Sequence, residues 1–231
     1  MKVKALVTDV DGTLTDKRYR LSCPAIKAVR FIERFGIPVT LASGNALCVM
    51  RTLRAYIGCS GAVICEGGGV VEYNGELRIL GDRVEALMAL DALKEVFGRR
   101  IVESSSNPFR YVDVALRRTV VKSRLVKVLE RFPSVKLWDS GYAYHIIERD
   151  IDKGRTVKVA LELMHVEAEE AVAIGDSETD VPLLEAVGYG IAVANADETL
   201  KRVTDYVTEG KNGKGFSEAV KLILSWKLKG G

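Results

Sequence analysis

The stretch "LVTDVDGTLT", residues 6–15, decides the fold. An apolar run rich in β-branched residues ends at Asp9, and Asp11 and Gly12 follow directly. A continuous apolar run that ends in turn residues is typical of a strand buried on both faces. Asp is a poor strand residue, and like charges on one face of a strand repel each other. We therefore expect either a solvated strand end or a cation between Asp9 and Asp11.

On the C-terminal side of this stretch, helix and strand patterns alternate. Apolar strand patterns at 37–43 and 61–68 follow helix patterns that end at Gly36 and Gly58. The order strand, helix, strand, helix, strand predicts a right-handed parallel α/β sheet. The same alternation resumes at Lys153 and continues along the rest of the chain.

The pattern differs in the middle of the chain. After a predicted hairpin with an Asn-Gly turn, the residues from about 82 to 152 combine helix patterns with alternating strands and a second hairpin. We expect an α/β fold with a doubly wound parallel-sheet, Rossmann-like core made of residues 1–81 and 153–231. The inserted residues 82–152 are expected to form an α+β cap domain.

Composition excludes several classes of function. The chain has 231 residues, 48% hydrophobic and 28% charged, and a net charge of only +3. These values are ordinary for a soluble globular protein, and no basic stripe for nucleic acid is present. No apolar run approaches the roughly 18 residues of a membrane helix, and Asp9 comes too early for a signal peptide. We expect a cytoplasmic protein with no nucleic-acid or membrane partner, either a monomer or a homodimer.

The four cysteines are Cys23, Cys48, Cys59 and Cys65. No pair has C-x-x-C spacing and no cluster of histidines accompanies them, so a zinc site is not expected. We predict that they are reduced and act as small, buried, apolar side chains.

Polar residues interrupt the apolar pattern where three predicted strands end. They are, in chain order, Asp9 and Asp11, then Ser43, Gly44 and Asn45, then Asp176 and Asp180. The ends of parallel strands share one edge of the sheet, where open α/β sheets bind ligands and helix N-termini favour phosphate. Four carboxylates there would repel one another unless a divalent cation lay between them. Carboxylate oxygens without Cys or His are typical ligands of Mg²⁺.

A phosphate ester beside Mg²⁺ would give the first two aspartates a chemical role. Hydrolysis of a phosphomonoester is among the slowest uncatalysed reactions, and a covalent aspartyl-phosphate divides it into two easier steps. One aspartate can attack phosphorus, while its neighbour protonates the leaving oxygen and later takes a proton from water. Gly12 allows the chain to turn directly after both carboxylates.

Four short motifs together resemble those of the haloacid dehalogenase-like phosphohydrolases. "DVDGT" at 9–13 is similar to the first motif, and Ser43 stands at the second. Lys153 in "DIDKG" is similar to the third motif, and "GDSETD" at 175–180 to the fourth. The insert resembles the cap of the branch that contains sucrose-phosphate phosphatases and Cof-type sugar phosphatases. Within this branch, "LASGN" and "GDSETD" look most like archaeal phosphoglycolate phosphatases.

The resemblance implies a role for each motif residue. Asp9 would be the nucleophile and a Mg²⁺ ligand. Asp11 would be the general acid and base and would bind the metal through its backbone carbonyl. Asp176 and Asp180 would complete the metal site, directly or through water. Lys153 would bind the phosphate and offset the charge of Asp9.

The resemblance also implies a phosphate-binding group. Ser43 would hydrogen-bond a phosphoryl oxygen, helped by the backbone N–H groups of Gly44 and Asn45. Asn195 in "AVANA" matches a position near the phosphate in Cof-like relatives. Asn45 is a departure from the family, because many relatives carry Arg there, and its loss favours a small or differently held leaving group.

These implications predict a magnesium-dependent phosphatase that acts on a small phosphomonoester. The expected reaction is hydrolysis of 2-phosphoglycolate to glycolate and phosphate through an aspartyl-phosphate intermediate. The alternatives within the class are a sugar-phosphate phosphatase of the sucrose-phosphate or Cof-like type and a mannosyl-3-phosphoglycerate phosphatase. The alternatives from other classes are a phosphosugar mutase and a non-enzymatic phospholigand sensor.

Other features favour structural interpretations. The glycines at 67–69 fail the dinucleotide spacing because Glu72 stands at the third glycine position, and "GKNGKG" at 210–215 lacks Walker spacing. Both are interpreted as turns. His145 is expected to be a packed or substrate-facing cap residue. The predicted aromatic core of the cap is Trp138, Tyr142 and Tyr144. The candidates for substrate contact in the cap are Tyr111, Arg117, Tyr142 and His145.

Overall fold

The computed structural model describes residues 2–229, with side chains described up to residue 226. The strands are β1 Ala5–Asp9, β2 Val39–Ala42, β3 Val63–Cys65, β4 Val70–Tyr73, β5 Glu76–Ile79, β6 Val114–Leu116, β7 Val135–Asp139, β8 Tyr144–Glu148, β9 Ala171–Gly175, β10 Tyr189–Ala192 and β11 Tyr206–Val207. The α-helices are α1 Cys23–Arg34, α2 Leu47–Ile57, α3 Val84–Phe97, α4 Lys122–Leu129, α5 Lys153–Leu163, α6 Val181–Glu185, α7 Glu198–Val203 and α8 Asn212–Lys229. None of these helices is both long and apolar enough to span a membrane.

The larger sheet has eight strands in the order β11-β10-β9-β1-β2-β3-β4-β5. Its strands from β11 to β3 pair in parallel, and the hairpin β4–β5 adds two antiparallel strands at one side. In the centre, Leu6 of β1 lies opposite Val39 of β2, and Ala5 lies opposite Ala171 of β9. The carboxyl ends of β1, β2 and β9 therefore reach the same edge of the sheet, as the sequence predicts.

Strand β1 is buried along its whole length. Leu6 belongs to an apolar cluster that includes side chains of α1 and α8, whereas Ala5 and Val7 belong to a second cluster with side chains of α5 and α6. Helices cover both faces of the sheet, which explains why the strand is apolar without alternation.

The residues between β5 and α5 form a second, three-stranded antiparallel sheet in the order β6-β8-β7. Helices α3 and α4 pack on this sheet through an apolar cluster that includes Leu93, Leu125 and Ile146. We refer to this part of the chain as the cap. Its elements agree with the predicted α+β pattern, while its domain boundaries at 82 and 152 stay a prediction.

Two predicted strands are shorter in the structure. The strand predicted over 61–68 is limited to β3, because Glu66–Gly68 form a 3-10 turn in which Glu66 has a φ of 52°. The strand predicted over 111–117 is limited to β6, because the backbone N–H of Tyr111 donates to the Glu66 carboxylate instead of a neighbouring strand.

The prediction of buried cysteines is wrong for two of the four. All four are free thiols, as expected, but only Cys65 is buried and Cys59 is half-buried. Cys23 and Cys48 are exposed, because they lie in the first turns of α1 and α2, on faces turned away from the sheet.

Candidate active site

Three carboxylates meet at the edge of the sheet where β1 and β9 end. Asp9 is the last residue of β1, Asp176 follows β9, and Asp180 lies in the 3-10 turn Glu178–Asp180. One carboxylate oxygen from each lies within 4.8 Å of the other two. Oxygen atoms at this spacing can bind one divalent cation together.

Lys153 supplies the positive charge nearest to this group. It is the first residue of α5 and is buried, and its Nζ donates to Asp9 Oδ1 and to Asp180 Oδ1, both at 2.6 Å. Burial alone would lower the pKa of Lys153, but the two carboxylates outweigh burial and the pKa is raised. The lysine is therefore charged, and one cation faces three aspartates.

One oxygen of Asp9 is left without a partner. Asp9 Oδ2 is buried and makes no hydrogen bond within the described part of the chain. Burial raises the pKa of Asp9 well above its usual value, and Asp180 and Asp176 add to the shift while Lys153 opposes it. Burial and the charge of Asp180 likewise raise the pKa of Asp176 to about 7. An unpartnered buried oxygen among excess negative charge fits a bound cation, and an all-oxygen donor set fits Mg²⁺.

Asp11 lies beside these carboxylates but makes different contacts. Its Oδ2 accepts hydrogen bonds from Ser43 Oγ and Asn45 Nδ2, both at 3.1 Å. Burial raises the pKa of Asp11, although the bonds to Ser43 and Asn45 and the charge of Lys153 oppose the shift. A carboxyl group with a raised pKa can hold a proton and give it to a leaving group.

Gly12 is required by close packing as well as by its backbone angle. Its φ is 98°, and a Cβ atom there would lie 2.1 Å from Asp176 Oδ2. Any side chain at this position would displace the carboxylate of Asp176, so the glycine of the "DVDGT" stretch lets that carboxylate lie against the backbone that follows β1.

Two asparagines complete the edge, and only one of them is predicted. Asn195 Nδ2 donates to the carbonyl oxygen of Gly12 at 3.1 Å and to Asp176 Oδ2 at 3.4 Å. Asn212, which none of the four motifs includes, donates through Nδ2 to the same carbonyl at 2.6 Å, and its N–H donates to Asn195 Oδ1 at 2.6 Å. The available signal is the Asn in "GKNGKG" at the start of the last helix, since Asn is favoured at helix starts.

The site opens into two adjoining cavities. A cavity of about 490 Å³ is lined by Asp9, Asp11, Lys153, Asp176 and Asn195, among others. A cavity of about 400 Å³ shares Asp11, Tyr19, Gly44 and Ser140 with the first and extends beneath the cap. All predicted site residues except Ser43 and Asp180 line one or both cavities, and these two touch residues that do.

Some of the predicted cap residues line the second cavity or are buried as expected, and others are not. Tyr142 and His145 line the second cavity, whereas Tyr111 and Arg117 line neither. Tyr144 is buried in the cap core as predicted, but the same prediction is wrong for Tyr142, whose side chain lies at the rim and is 70% exposed. The six-membered ring of Trp138 packs against Gly44 and Gly67, between the cap and the sheet. His145 is buried, and its Nδ1 bonds to Asp113 Oδ2 at 2.5 Å.

A comparison with protein families agrees with this geometry. The model of the haloacid dehalogenase-like hydrolase family matches residues 6–99 and 115–220. A protein of Methanothermobacter thermautotrophicus named phosphoglycolate phosphatase is 41% identical over 97% of this chain and 100% of its own length. A protein of Archaeoglobus fulgidus with the same name is 42% identical over 96% of this chain and 97% of its own length.

Solved structures share the fold. A Thermoplasma acidophilum protein superposes with a TM-score of 0.88 and 26% identity, covering 96% of this chain and 98% of its own. A haloacid dehalogenase-like hydrolase of Bacteroides thetaiotaomicron superposes with a TM-score of 0.79 and 22% identity, covering 96% and 100%. The family match, the close relatives and the shared fold lead to one conclusion. The chain belongs to the haloacid dehalogenase-like hydrolases.

Proposed function

We propose that the chain is a magnesium-dependent phosphatase that hydrolyses 2-phosphoglycolate to glycolate and phosphate. The observation that carries the proposal is the unpartnered, buried oxygen of Asp9, which lies among carboxylates at the sheet edge and beside Lys153. The choice of substrate rests on relatives about 40% identical that are named phosphoglycolate phosphatase. The cytoplasmic location and the absence of nucleic-acid and membrane partners stay predictions.

The metal site would be formed by Asp9, Asp176 and Asp180, with the backbone carbonyl of Asp11. Asp180 would act directly or through water, because its Oδ1 already accepts from Lys153 and its Oδ2 from the N–H groups of Asp176 and Ser177. The bound Mg²⁺ would offset the charge of the phosphate and of the surrounding carboxylates. Lys153 donates to Asp9 Oδ1, so this oxygen has a positive partner, whereas Oδ2 of the same carboxylate has no hydrogen-bond partner among the described residues.

In the first step, an oxygen of Asp9 attacks phosphorus and the bond from phosphorus to the glycolate oxygen breaks. Asp11 gives its proton to that departing oxygen, so glycolate leaves as the alcohol. In the second step, Asp11 takes a proton from water, whose oxygen attacks the phosphorus of the aspartyl-phosphate. The bond from phosphorus to Asp9 then breaks, and phosphate and free enzyme result.

The phosphate-binding group would be Ser43, Gly44, Asn45 and Asn195, together with Lys153. Ser43 and Asn45 contact Asp11 and each other in the structure, with Asn45 Nδ2 2.9 Å from Ser43 Oγ. Asn195 is tied to the carbonyl of Gly12 and to Asp176. These polar groups would contact a phosphoryl group bound beside Asp9.

The test is phosphate release from 2-phosphoglycolate by the purified chain, with Mg²⁺ and with excess EDTA. We expect turnover with Mg²⁺, one phosphate per substrate consumed, and loss of turnover with EDTA. The Asp9→Asn variant is expected to lose activity by about 10³-fold or more, because the nucleophilic oxygen is gone. Asp91→Asn, an exposed carboxylate on α3, is the matched control and should keep wild-type activity.

Three results would contradict the proposal. Full activity in Asp9→Asn would show that Asp9 is not the nucleophile. With a sugar phosphate as substrate, formation of an isomeric phosphate ester without phosphate release would favour a phosphosugar mutase. Substrate binding without any turnover in Mg²⁺ would favour a phospholigand sensor.

A further inference from the structure

A buried glutamate joins the cap to the loop that contacts Asp11. Glu66 follows β3 and is fully buried. Its backbone N–H donates to the carbonyl of Asn45 at 3.0 Å. Its Oε2 accepts hydrogen bonds from the N–H groups of Tyr111 and Val112, both at 2.9 Å. One residue thus binds the site loop with its backbone and the cap with its side chain.

An arginine makes the second connection between the same two segments. Arg110 is buried, and its Nη1 donates to the carbonyl of Gly44 at 3.0 Å. The same Nη1 donates to both oxygens of Asp113, at 2.7 Å and 2.9 Å, and Nε donates to Ser106 Oγ at 2.9 Å. Because Arg110 directly precedes Tyr111, the contacts of Glu66 and Arg110 close a ring around the loop 43–45.

The glycine run at 67–69 explains how the two segments come so close. A Cβ atom on Gly69 would lie 1.9 Å from Val112 Cγ2, and one on Gly68 would lie 2.2 Å from the carbonyl oxygen of Asp152. The N–H of Gly67 donates to the carbonyl of Ser43 at 3.3 Å. We call the contact between residues 66–69 and 110–113 the cap seam. The glycines at 67–69, which fit no nucleotide-binding motif, are therefore required by close packing.

The loop held by this ring determines the position of Asp11. Ser43 and Asn45 each donate to Asp11 Oδ2. The carbonyls of this loop accept from both sides of the cap seam, those of Ser43 and Asn45 from the backbone of residues 66–67 and that of Gly44 from Arg110. We infer that Glu66 and Arg110 are positioning residues for proton transfer by Asp11, so that the seating of the cap aligns the general acid. This inference rests on the proposed phosphatase function, and it adds two residues that lie outside the four motifs.

A test must separate a positioning role from simple support of the fold. 2-Phosphoglycolate loses an alkoxide, which needs a proton from Asp11, whereas p-nitrophenyl phosphate loses a stable phenolate that needs none. In Glu66→Ala we expect kcat/KM for 2-phosphoglycolate to fall about 10- to 100-fold, since general acid catalysis contributes about 10²- to 10⁴-fold. We expect kcat/KM for p-nitrophenyl phosphate to fall less than about 3-fold, because kcat/KM covers only the steps up to departure of the leaving group and leaves out the second step, in which Asp11 acts as base with both substrates. General loss of structure would lower both rates equally.

Two variants serve as controls. Glu66→Gln keeps an amide oxygen that can accept from Tyr111 and Val112 at the place of Oε2, so kcat/KM for both substrates should stay within about 3-fold of wild type. Glu72→Ala removes another buried glutamate, whose contacts are to Arg51 and Arg54 and not to the loop 43–45. It should change the two rates in equal proportion. If Glu66→Ala does not fold, Arg110→Gln is used and should show the same difference between substrates.

The possible failures are distinguishable. Equal losses on both substrates in the Glu66 and Arg110 variants, or no loss on 2-phosphoglycolate, would overturn the positioning role while the phosphatase stands. Failure of the wild type to hydrolyse either ester in Mg²⁺ would instead overturn the proposed function.

Discussion

At the sheet edge, Lys153 contacts Asp9 and Asp180, and Asp11 and Asp176 lie close to them, whereas at the cap seam Arg110 and His145 both contact a single aspartate, Asp113. Asp9 and Asp113 are both buried. Burial raises the pKa of Asp9, and the charge of Lys153 opposes the shift. Burial acts on Asp113 as well, but the contacts with His145 and Arg110 outweigh it, and the pKa of Asp113 is lowered.

The difference separates a binding site from a structural contact. Buried charges are stabilised when partners satisfy them and are costly when they are not. The cap seam satisfies Asp113 within the chain, so it needs no ligand. The sheet edge has more acidic side chains than nearby cations. A bound cation would offset this imbalance, which is typical of a site kept for function.

The largest expected effect comes from removing the one lysine of the sheet edge. Lys153→Met leaves Asp9 and Asp180 buried without their cation, so the free energy of unfolding in EDTA should fall by about 3–5 kcal/mol. We also expect kcat/KM to fall about 10³-fold or more, because the proposed phosphate site would lose its fixed positive charge. Urea unfolding and phosphate release measure the two effects.

Lys158→Met is the matched control, since Lys158 is an exposed residue of the same helix, α5. Its free energy of unfolding should stay within about 0.5 kcal/mol of wild type. An equal loss of stability in both variants would show that any lysine of α5 stabilises the fold to the same degree. The excess of carboxylates around Lys153 would then have no effect of its own.

The sequence predicts the sheet edge well because the required chemistry limits the residue types there. Asp9 must follow an apolar strand, and parallel pairing brings Asp176 to the same edge whatever the details of packing. The fold class follows from the same alternation of strands and helices. These features depend on local pattern and on general rules of α/β sheets.

The cap seam could not be predicted because its partners are distant and chemically ordinary. Glu66 and Tyr111 are 45 positions apart, and Arg110 and Gly44 are 66 apart. A glutamate that accepts from backbone N–H groups places no restriction on the type of its partner residues. Their proximity follows only from how the cap packs on the sheet, which periodicity does not describe.

A second effect, of intermediate size, concerns Glu66 of the cap seam and its titration. Burial, with the charge of Asp113 adding, raises the pKa of Glu66 to about 7 from a usual 4.5. As the pH rises above 4.5, the unfolded chain loses this proton first, so the stability that Glu66 contributes is complete below that pH. It is lost as the pH rises through about 7.

Glu66→Gln removes this titration. Each pKa unit corresponds to about 1.4 kcal/mol, so the variant should gain stability relative to wild type by at most about 3.5 kcal/mol between pH 4.5 and pH 8. Urea unfolding of both proteins at several pH values measures the difference in their free energies of unfolding. The other titrating groups are the same in both proteins, so their contributions cancel. If the difference in free energy of unfolding between the variant and wild type stays constant across this range, Glu66 is ionised throughout. Its charge would then be satisfied within the chain, as that of Asp113 is.

The smallest expected effect marks where the packed part of the cap ends. Tyr142 is 70% exposed and contacts Tyr19 edge-on with ring centroids 5.5 Å apart, whereas Tyr144, two residues on, is buried in the cap core. Tyr142→Ala should change the free energy of unfolding by less than about 0.5 kcal/mol, and Tyr144→Ala should lower it by about 3 kcal/mol or more. Equal losses would place Tyr142 in the core, as its apolar strand pattern predicts. In that case Tyr142 would be a packed part of the cap and not an exposed side chain at the rim of the second cavity.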